Sequence, residues 1–183
     1  MFESAVAPNV PCVWENGQPN MVCDDGSVAG TPPAWGGPLV NILSMYRRGG
    51  DKVWLQKIYP HLVAYLDYWL VNRTLAGGYQ GCRCSWECGQ DDEPRWSFNQ
   101  SSGGSLTTRF WAVEMQAATA HAAGVLRHFA KELGMPAAEQ ARWTAVLDRH
   151  TNLTMSLWNP EQQWFTDWDL QTKAWSVFGK WYT

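Results

Sequence analysis

Two long segments of helical periodicity, divided by Gly134-Met135-Pro136, restrict this chain to a fold built on a helical hairpin. The first is expected to run from about residue 106 to 133, with Ser105 as its N-cap. Its apolar stripe is Leu106, Phe110, Val113, Ala117, Ala120, Gly124, Val125 and Leu133. The small residues Ala117, Ala118, Ala120, Ala122, Ala123 and Gly124 let a neighbouring helix approach closely. The second segment, 136–157, lines up Trp143, Val146, Leu147, His150, Leu153 and Leu157 on one side. Gly134 suits the left-handed position that ends a helix, and Pro136 suits the opening of the next.

The same texture recurs upstream. Leu39, Ile42, Leu43 and Tyr46 give a helix from Pro38, stopped by Gly49-Gly50. Asp51 can cap a second helix carrying Val53, Trp54 and Ile58. Pro60, which lacks an N–H, is placed at the start of a third helix, which reaches about Val71 and buries Leu62, Val63, Leu66 and Trp69. Residues 1–37 are broken throughout by proline and glycine and read as irregular, with Gly30–Pro38 a rigid loop presenting Trp35 at a helix entrance. After Asn159-Pro160 one two-strand hairpin is expected, with strands at 164–168 and 174–177 and a turn near 171–173. The expected class is therefore all-α: helical hairpins joined by long loops, with one short β-hairpin near the C-terminus. Such an arrangement suits an α-solenoid or its closed form, the α/α toroid, which five helices cannot close alone.

A net charge of −3 and the lack of any Lys/Arg run leave no footprint for nucleic acid. No apolar run approaches the roughly 18 residues that span a bilayer. The 13 tryptophans are the compositional anomaly. Some must fill core; others fall in Gly/Pro/polar loops, where flat aromatic faces beside carboxylates would suit a sugar or would plug the ends of a helical core. Five cysteines leave an odd thiol, and Cys82-x-Cys84-x3-Cys88 has poor zinc spacing with no evident fourth ligand. A zinc protein stays open as a minor alternative, although no metal or cofactor is expected. The start Met1-Phe2-Glu3-Ser4 has no signal pattern, while sequons at Asn72, Asn99 and Asn152 would permit glycosylation, so the compartment is open.

Between the helical pairs lies the chemistry-bearing stretch. Residues 84–96 hold the carboxylates Glu87, Asp91, Asp92 and Glu93, with Arg95, Trp86 and Trp96. Gly89 and Pro94 disfavour helix and strand there. An acid-rich and aromatic loop is suited to holding a sugar and delivering a proton to it.

Glu87-Cys88-Gly89-Gln90-Asp91, followed by Pro94-Arg95-Trp96, resembles the Glu-Ser-Gly-x-Asp motif and its following arginine in the trehalase-like glycosidases of clan G, above all glycoside hydrolase family 63. Thr31-Pro32-Pro33-Ala34-Trp35 is similar to that family's Gln-Pro-Pro loop. Tyr59–Tyr65 with Trp69-Leu70 is similar to the helix before the motif, and Leu157–Glu161 with Trp164–Asp167 to its later hairpin. The matches keep the family's order over about residues 30–170. The resemblance implies an (α/α)6 toroid and an inverting mechanism on an α-linked glucoside or related sugar. It assigns the general acid to Asp91, four residues after Glu87 and four before Arg95. Glu87 and Arg95 would bind sugar hydroxyls or position the acid, and Trp35 and Trp86 would wall the subsite. Arg95 has the plainer alternative of a salt bridge with Glu87, Asp92 or Glu93.

Cys88 stands where the family usually has serine, and Thr31 where glutamine is common. No motif around Glu114, Glu132, Glu139 or Glu161 matches the family's catalytic base. The base is therefore expected beyond Thr183, and the whole chain is read as part of a single toroidal catalytic domain. On that reading the chain alone is expected to be inactive and to self-associate through open helix faces. A non-catalytic carbohydrate-binding or helical scaffold is the alternative.

Overall fold

The hairpin punctuated by Gly134 is the centre of the structure. The protein is seen in a computed structural model that describes residues 37–81 and 107–176, together with short strands between 13 and 29. Its described helices are α1 (Gly37–Gly49), α2 (Lys52–Asn72), α3 (Val113–Glu132) and α4 (Ala137–Met155). Helix α3 packs most extensively on α4 and also touches α1 and α2. At the α3–α4 turn Gly134 adopts φ +66°. Met135 N–H donates to Ala130 O at 2.8 Å and Gly134 N–H to Lys131 O at 3.1 Å. These are the two bonds of a Schellman ending, which satisfy carbonyls that the helix itself leaves open.

Helix α1 contributes Leu39, Ile42 and Tyr46 to the core, and α2 contributes Leu55, Ile58, Leu62, Tyr65 and Leu66. They close on Met115, Ala122, Ala123, Leu126 and Phe129 of α3. Asp51 caps α2 as expected, its Oδ1 accepting from Trp54 N–H at 2.9 Å. Trp143 locks α4 to α2. It is fully buried, and its indole N–H lies 3.0 Å from the Tyr59 hydroxyl and 2.9 Å from Glu139 Oε1. Tyr59 O–H donates in turn to Glu139 Oε1 at 3.0 Å. Burial pushes the Tyr59 phenol upward, so it stays neutral and keeps this role.

Pro60 does not begin a helix; it lies inside α2. The buried series Leu55, Ile58, Tyr59, Leu62, Tyr65 and Leu66 continues in helical register across it. Burial of that face outweighs the roughly 3 kcal/mol that an interior proline costs. Both Pro60 and Gln56, whose carbonyl loses its helical donor, are exposed, so water can take the vacated bond. The second and third expected helices are thus one. Helix α3 also starts later than expected, at Val113. Ser105 lies outside the described residues, and Thr107–Arg109 form a 3-10 turn before a short strand at Phe110–Trp111. The buried face of α3 is rotated from the expected stripe: Ala117 is exposed, while Met115, Gln116 and Thr119 are buried.

Short antiparallel ladders complete the description. Strands β1 (Val13–Trp14) and β2 (Gln18–Pro19) pair, as do β3 (Met21–Val22) and β4 (Val28–Ala29). Strand β5 (Phe110–Trp111) precedes α3; after α4 come β6 (Trp158–Asn159), β7 (Trp164–Phe165), β8 (Trp168–Asp169) and β9 (Ala174–Trp175). Instead of one hairpin there are two in tandem, β6–β7 and β8–β9, and the expected strand 164–168 is the return arm of one and the outgoing arm of the other. They share one design. Asn159 Oδ1 accepts from Glu161 and Gln162 N–H, and Asp169 Oδ1 accepts from Gln171 and Thr172 N–H. A non-glycine residue with positive φ closes each loop, Gln163 at 52° and Lys173 at 55°. Trp158 meets Phe165 edge-on at 5.1 Å, and Trp168 meets Trp175 edge-on at 5.1 Å.

Both left-handed side chains are exposed. Gln163→Gly and Lys173→Gly are each expected to stabilise the fold by about 0.5–1 kcal/mol, the left-handed strain relieved being partly offset by glycine's entropy. Urea denaturation of each variant checks this; a lowered midpoint would show that the residues sit there without strain.

Candidate active site

Trp35, Trp86, Glu87, Asp91 and Arg95 all lie outside the described residues, as do the five cysteines. The structure describes the scaffold from which the acidic stretch departs at Gly81 and to which the chain returns at Thr107. Each end is anchored by buried polar groups that the periodicity of the sequence did not single out.

The departing end is a tight reversal after α2. Gly77 and Gly78 take φ +76° and +83°, Thr74 bridges Gln80, and Gly81 N–H donates to Arg73 O at 2.8 Å. Gly78 needs glycine for its conformation; a Cβ there would meet only the guanidinium end of the exposed Arg149, which can swing aside. Arg73 is buried, donating to the Tyr68 hydroxyl at 2.7 Å and Asn72 O at 3.0 Å, with its guanidinium 5.1 Å from the Tyr68 ring centroid.

Beneath this reversal lies Gln116 of α3, fully buried. Its Oε1 accepts from Gln80 N–H at 2.9 Å, and its Nε2 donates to Gln80 O at 2.7 Å and to Ala112 O at 3.0 Å. The two carbonyls fix which end of the amide is nitrogen. Oε1 must then accept from His150 Nδ1, 3.3 Å away, which defines a neutral imidazole protonated at Nδ1. Burial, with a smaller contribution from the charge of Arg149, pulls His150 down to about 4. Its protonation in the fold is disfavoured while an unfolded histidine titrates near 6.5. This contribution to stability is complete above pH 6.5 and is lost as pH falls toward about 4. His150→Gln is expected to flatten the pH dependence of the urea midpoint across that window; an unchanged slope would place the titration elsewhere.

The returning end is held by the second hairpin. Arg109 donates through Nε to Asp169 Oδ1 at 2.7 Å and through Nη2 to Asp169 Oδ2. The Arg109 guanidinium is the main reason that the Asp169 carboxyl is held down at about 2. Phe110 and Trp111 pair with Asp169 and Trp168. Ala112 offers no cap to α3, and Asp167 Oδ1 supplies one by accepting from Val113 N–H at 2.8 Å. The two ends are joined directly. The rings of Tyr79 and Trp111 stack at 4.0 Å with 7° between planes, and the Tyr79 hydroxyl lies 2.7 Å from Ser156 Oγ.

Three buried polar atoms of this footing, Trp69 Nε1, Gln80 Oε1 and Trp111 Nε1, have no hydrogen-bond partner among the described residues. The buried carboxylates described, Asp167 and Asp169, serve as structural acceptors. Glu132 accepts from Tyr46 and pairs with Lys52, and Glu139 serves Tyr59 and Trp143. Gln116 was legible in principle as a glutamine between Met115 and Thr119 on a small-residue helix, but the expected stripe passed it by. His150 was assigned to the core side of its helix, without its partner.

Among the described residues no group of three or more His, Cys, Asp or Glu is arranged to hold a metal, and no helix is long and apolar enough to cross a membrane. A search of curated proteins finds no match. The family model of the mannosylglycerate hydrolase MGH1-like glycoside hydrolase domain matches residues 39–181, which include the acidic stretch, both tandem hairpins and the four described helices apart from the first two residues of α1. The glycosidase resemblance carried by Glu87–Arg95 is thereby borne out, with a carbohydrate as the implied substrate. The chain belongs to the MGH1-like glycoside hydrolase family.

Proposed function

We propose that this chain carries the acid-bearing part of an inverting glycosidase, with Asp91 as general acid. The observation that carries the reading is the family match across 39–181, which contains the motif Glu87-Cys88-Gly89-Gln90-Asp91 and Arg95. Asp91 protonates the glycosidic oxygen as the bond to the anomeric carbon breaks. For this role the proton on Asp91 has to be available near neutrality, which burial or nearby carboxylates would provide. Glu87 and Arg95 bind sugar hydroxyls, and Trp35 and Trp86 wall the subsite by stacking. A second carboxylate, ~6.5–9.5 Å from the first, activates water on the opposite face of the sugar. Because the buried carboxylates described are engaged in structural bonds, this base is assigned to another segment of an (α/α)6 toroid. Exposed Val40, Met45, Val53 and Val71 on α1 and α2 are apolar surface that the rest of such a toroid would cover.

The family's name makes mannosylglycerate the first substrate to try, beside an α-linked glucoside. Proton NMR during early turnover tests the stereochemistry. Inversion requires the β-sugar to appear first, and an α-sugar as first product would overturn it.

A further inference from the structure

We propose that Asn152, in the last turn of α4, is an N-glycan acceptor, and that the fold rejects the same modification at Asn72. The donor is a lipid-diphosphate-linked oligosaccharide of a secretory route. The anomeric carbon of the sugar leaves the diphosphate oxygen and bonds to the side-chain nitrogen of asparagine. The lipid diphosphate departs with the electron pair of the broken C–O bond, and one Nδ2 proton passes to a base of the transferase. Asn152-Leu153-Thr154 and Asn72-Arg73-Thr74 are both acceptor sequons, while Asn99 lies outside the described residues. The motif treats the two alike; their surroundings in the fold do not.

On a helix, the residues three and four positions away flank a side chain. Around Asn152 these are Asp148, Arg149, Met155 and Ser156, and all four are exposed, as is Asn152 itself. The Asn152 carboxamide has no hydrogen-bond partner among the described residues. Thr154 completes the sequon while its hydroxyl donates to His150 O at 2.7 Å, so the helix keeps its own bonds when a sugar is attached. Asn72 is the opposite case. It closes α2 half-buried, with Tyr68, Trp69 and Arg73 all buried beside it. Its Nδ2, the atom that would carry the sugar, donates to Tyr68 O at 3.0 Å. The Thr74 hydroxyl is engaged in the reversal, donating to Leu70 O and accepting from Gln80 Nε2, each at 2.7 Å. Transfer takes place on the extended chain, before these contacts form, and the fold then acts as a sieve. A sugar on Asn152 passes into solvent, whereas one on Asn72 has to be fitted against buried side chains.

The test secretes the full-length protein from a eukaryotic host, releases glycans with peptide N-glycosidase in heavy-oxygen water and weighs the peptides. Release converts a glycosylated asparagine to an aspartate that carries the label. Asn152 is expected to be labelled in most secreted molecules and Asn72 in few, with label at Asn72 enriched in the fraction that the cell retains. Thr154→Ala should abolish the label at Asn152, and Thr154→Ser, which preserves the sequon, should restore it. Asn152→Gln gives the same loss by a change at an exposed side chain and carries the comparison if the alanine variant does not fold. An unlabelled Asn152 in the secreted protein, or a bare Asn152 in protein from its natural source, overturns the site. Equal labelling of Asn72 and Asn152 in the secreted protein overturns the discrimination drawn from the fold.

Discussion

Asp91→Asn should reduce hydrolysis of a glycoside with a poor leaving group by about 10²- to 10⁴-fold, the usual contribution of a positioned general acid. The amide can hold much the same hydrogen bonds to the sugar but cannot give up a proton, so KM should change little while kcat collapses. The loss should shrink as the leaving group improves, because an alkoxide that is already stable needs less protonation. Steady-state kinetics across a leaving-group series decide the matter. Unchanged turnover of the poorest leaving group would remove Asp91 from the role and move the assignment first to Asp92.

The largest effect on stability is expected at Trp143. Trp143→Ala removes a wholly buried indole at the joint of α2 and α4, and should cost about 3–5 kcal/mol. Against a total stability of about 5–15 kcal/mol for an ordinary domain, that is enough to leave much of the protein unfolded at 37 °C. The substitution also strips a donor from Tyr59 and Glu139, which face each other across the same gap. Trp143→Phe separates the two contributions. It retains most of the packing and loses the N–H bonds, so it should cost about 1–2 kcal/mol. Denaturant unfolding of both variants checks the ordering, and an alanine variant no less stable than the phenylalanine one would show that Trp143 is not the joint described.

The helical pairs were readable because their determinants are local. Asp51 as cap, Gly50 and Gly134 as left-handed stops, and apolar spacing of three and four each act within a turn or two of chain. Where tertiary contacts outweighed local preference, the reading failed. Pro60 marks a helix start by propensity, yet a continuous buried face carries α2 straight through it. Helix α3 begins only at Val113 because Phe110 and Trp111 are drawn into pairing with a hairpin more than fifty residues later in the chain. The turn at 171–173 and the return strand from Ala174 were legible, whereas β6–β7 showed only as Trp158-Asn159 echoing Trp168-Asp169, a motif too short for period-two alternation to reveal. The site divides in the same way. The proposed proton donor was named by a local motif, whereas the hydrogen bonds on Gln80 join residues from three parts of the chain and have no sequence signature of their own.

The stacked pair Tyr79 and Trp111 gives the molecule an evolutionary consequence. It joins the two flanks of the scaffold directly, on either side of the departure at Gly81 and the return at Thr107, so the helical packing there is closed without help from the chain between them. A doubling of a flexible loop adds only about 0.6 kcal/mol of closure entropy. Residues 82–106 carry the proposed sugar-contacting groups, and grafting that segment from one family member onto another should transfer substrate preference while the melting behaviour stays that of the recipient.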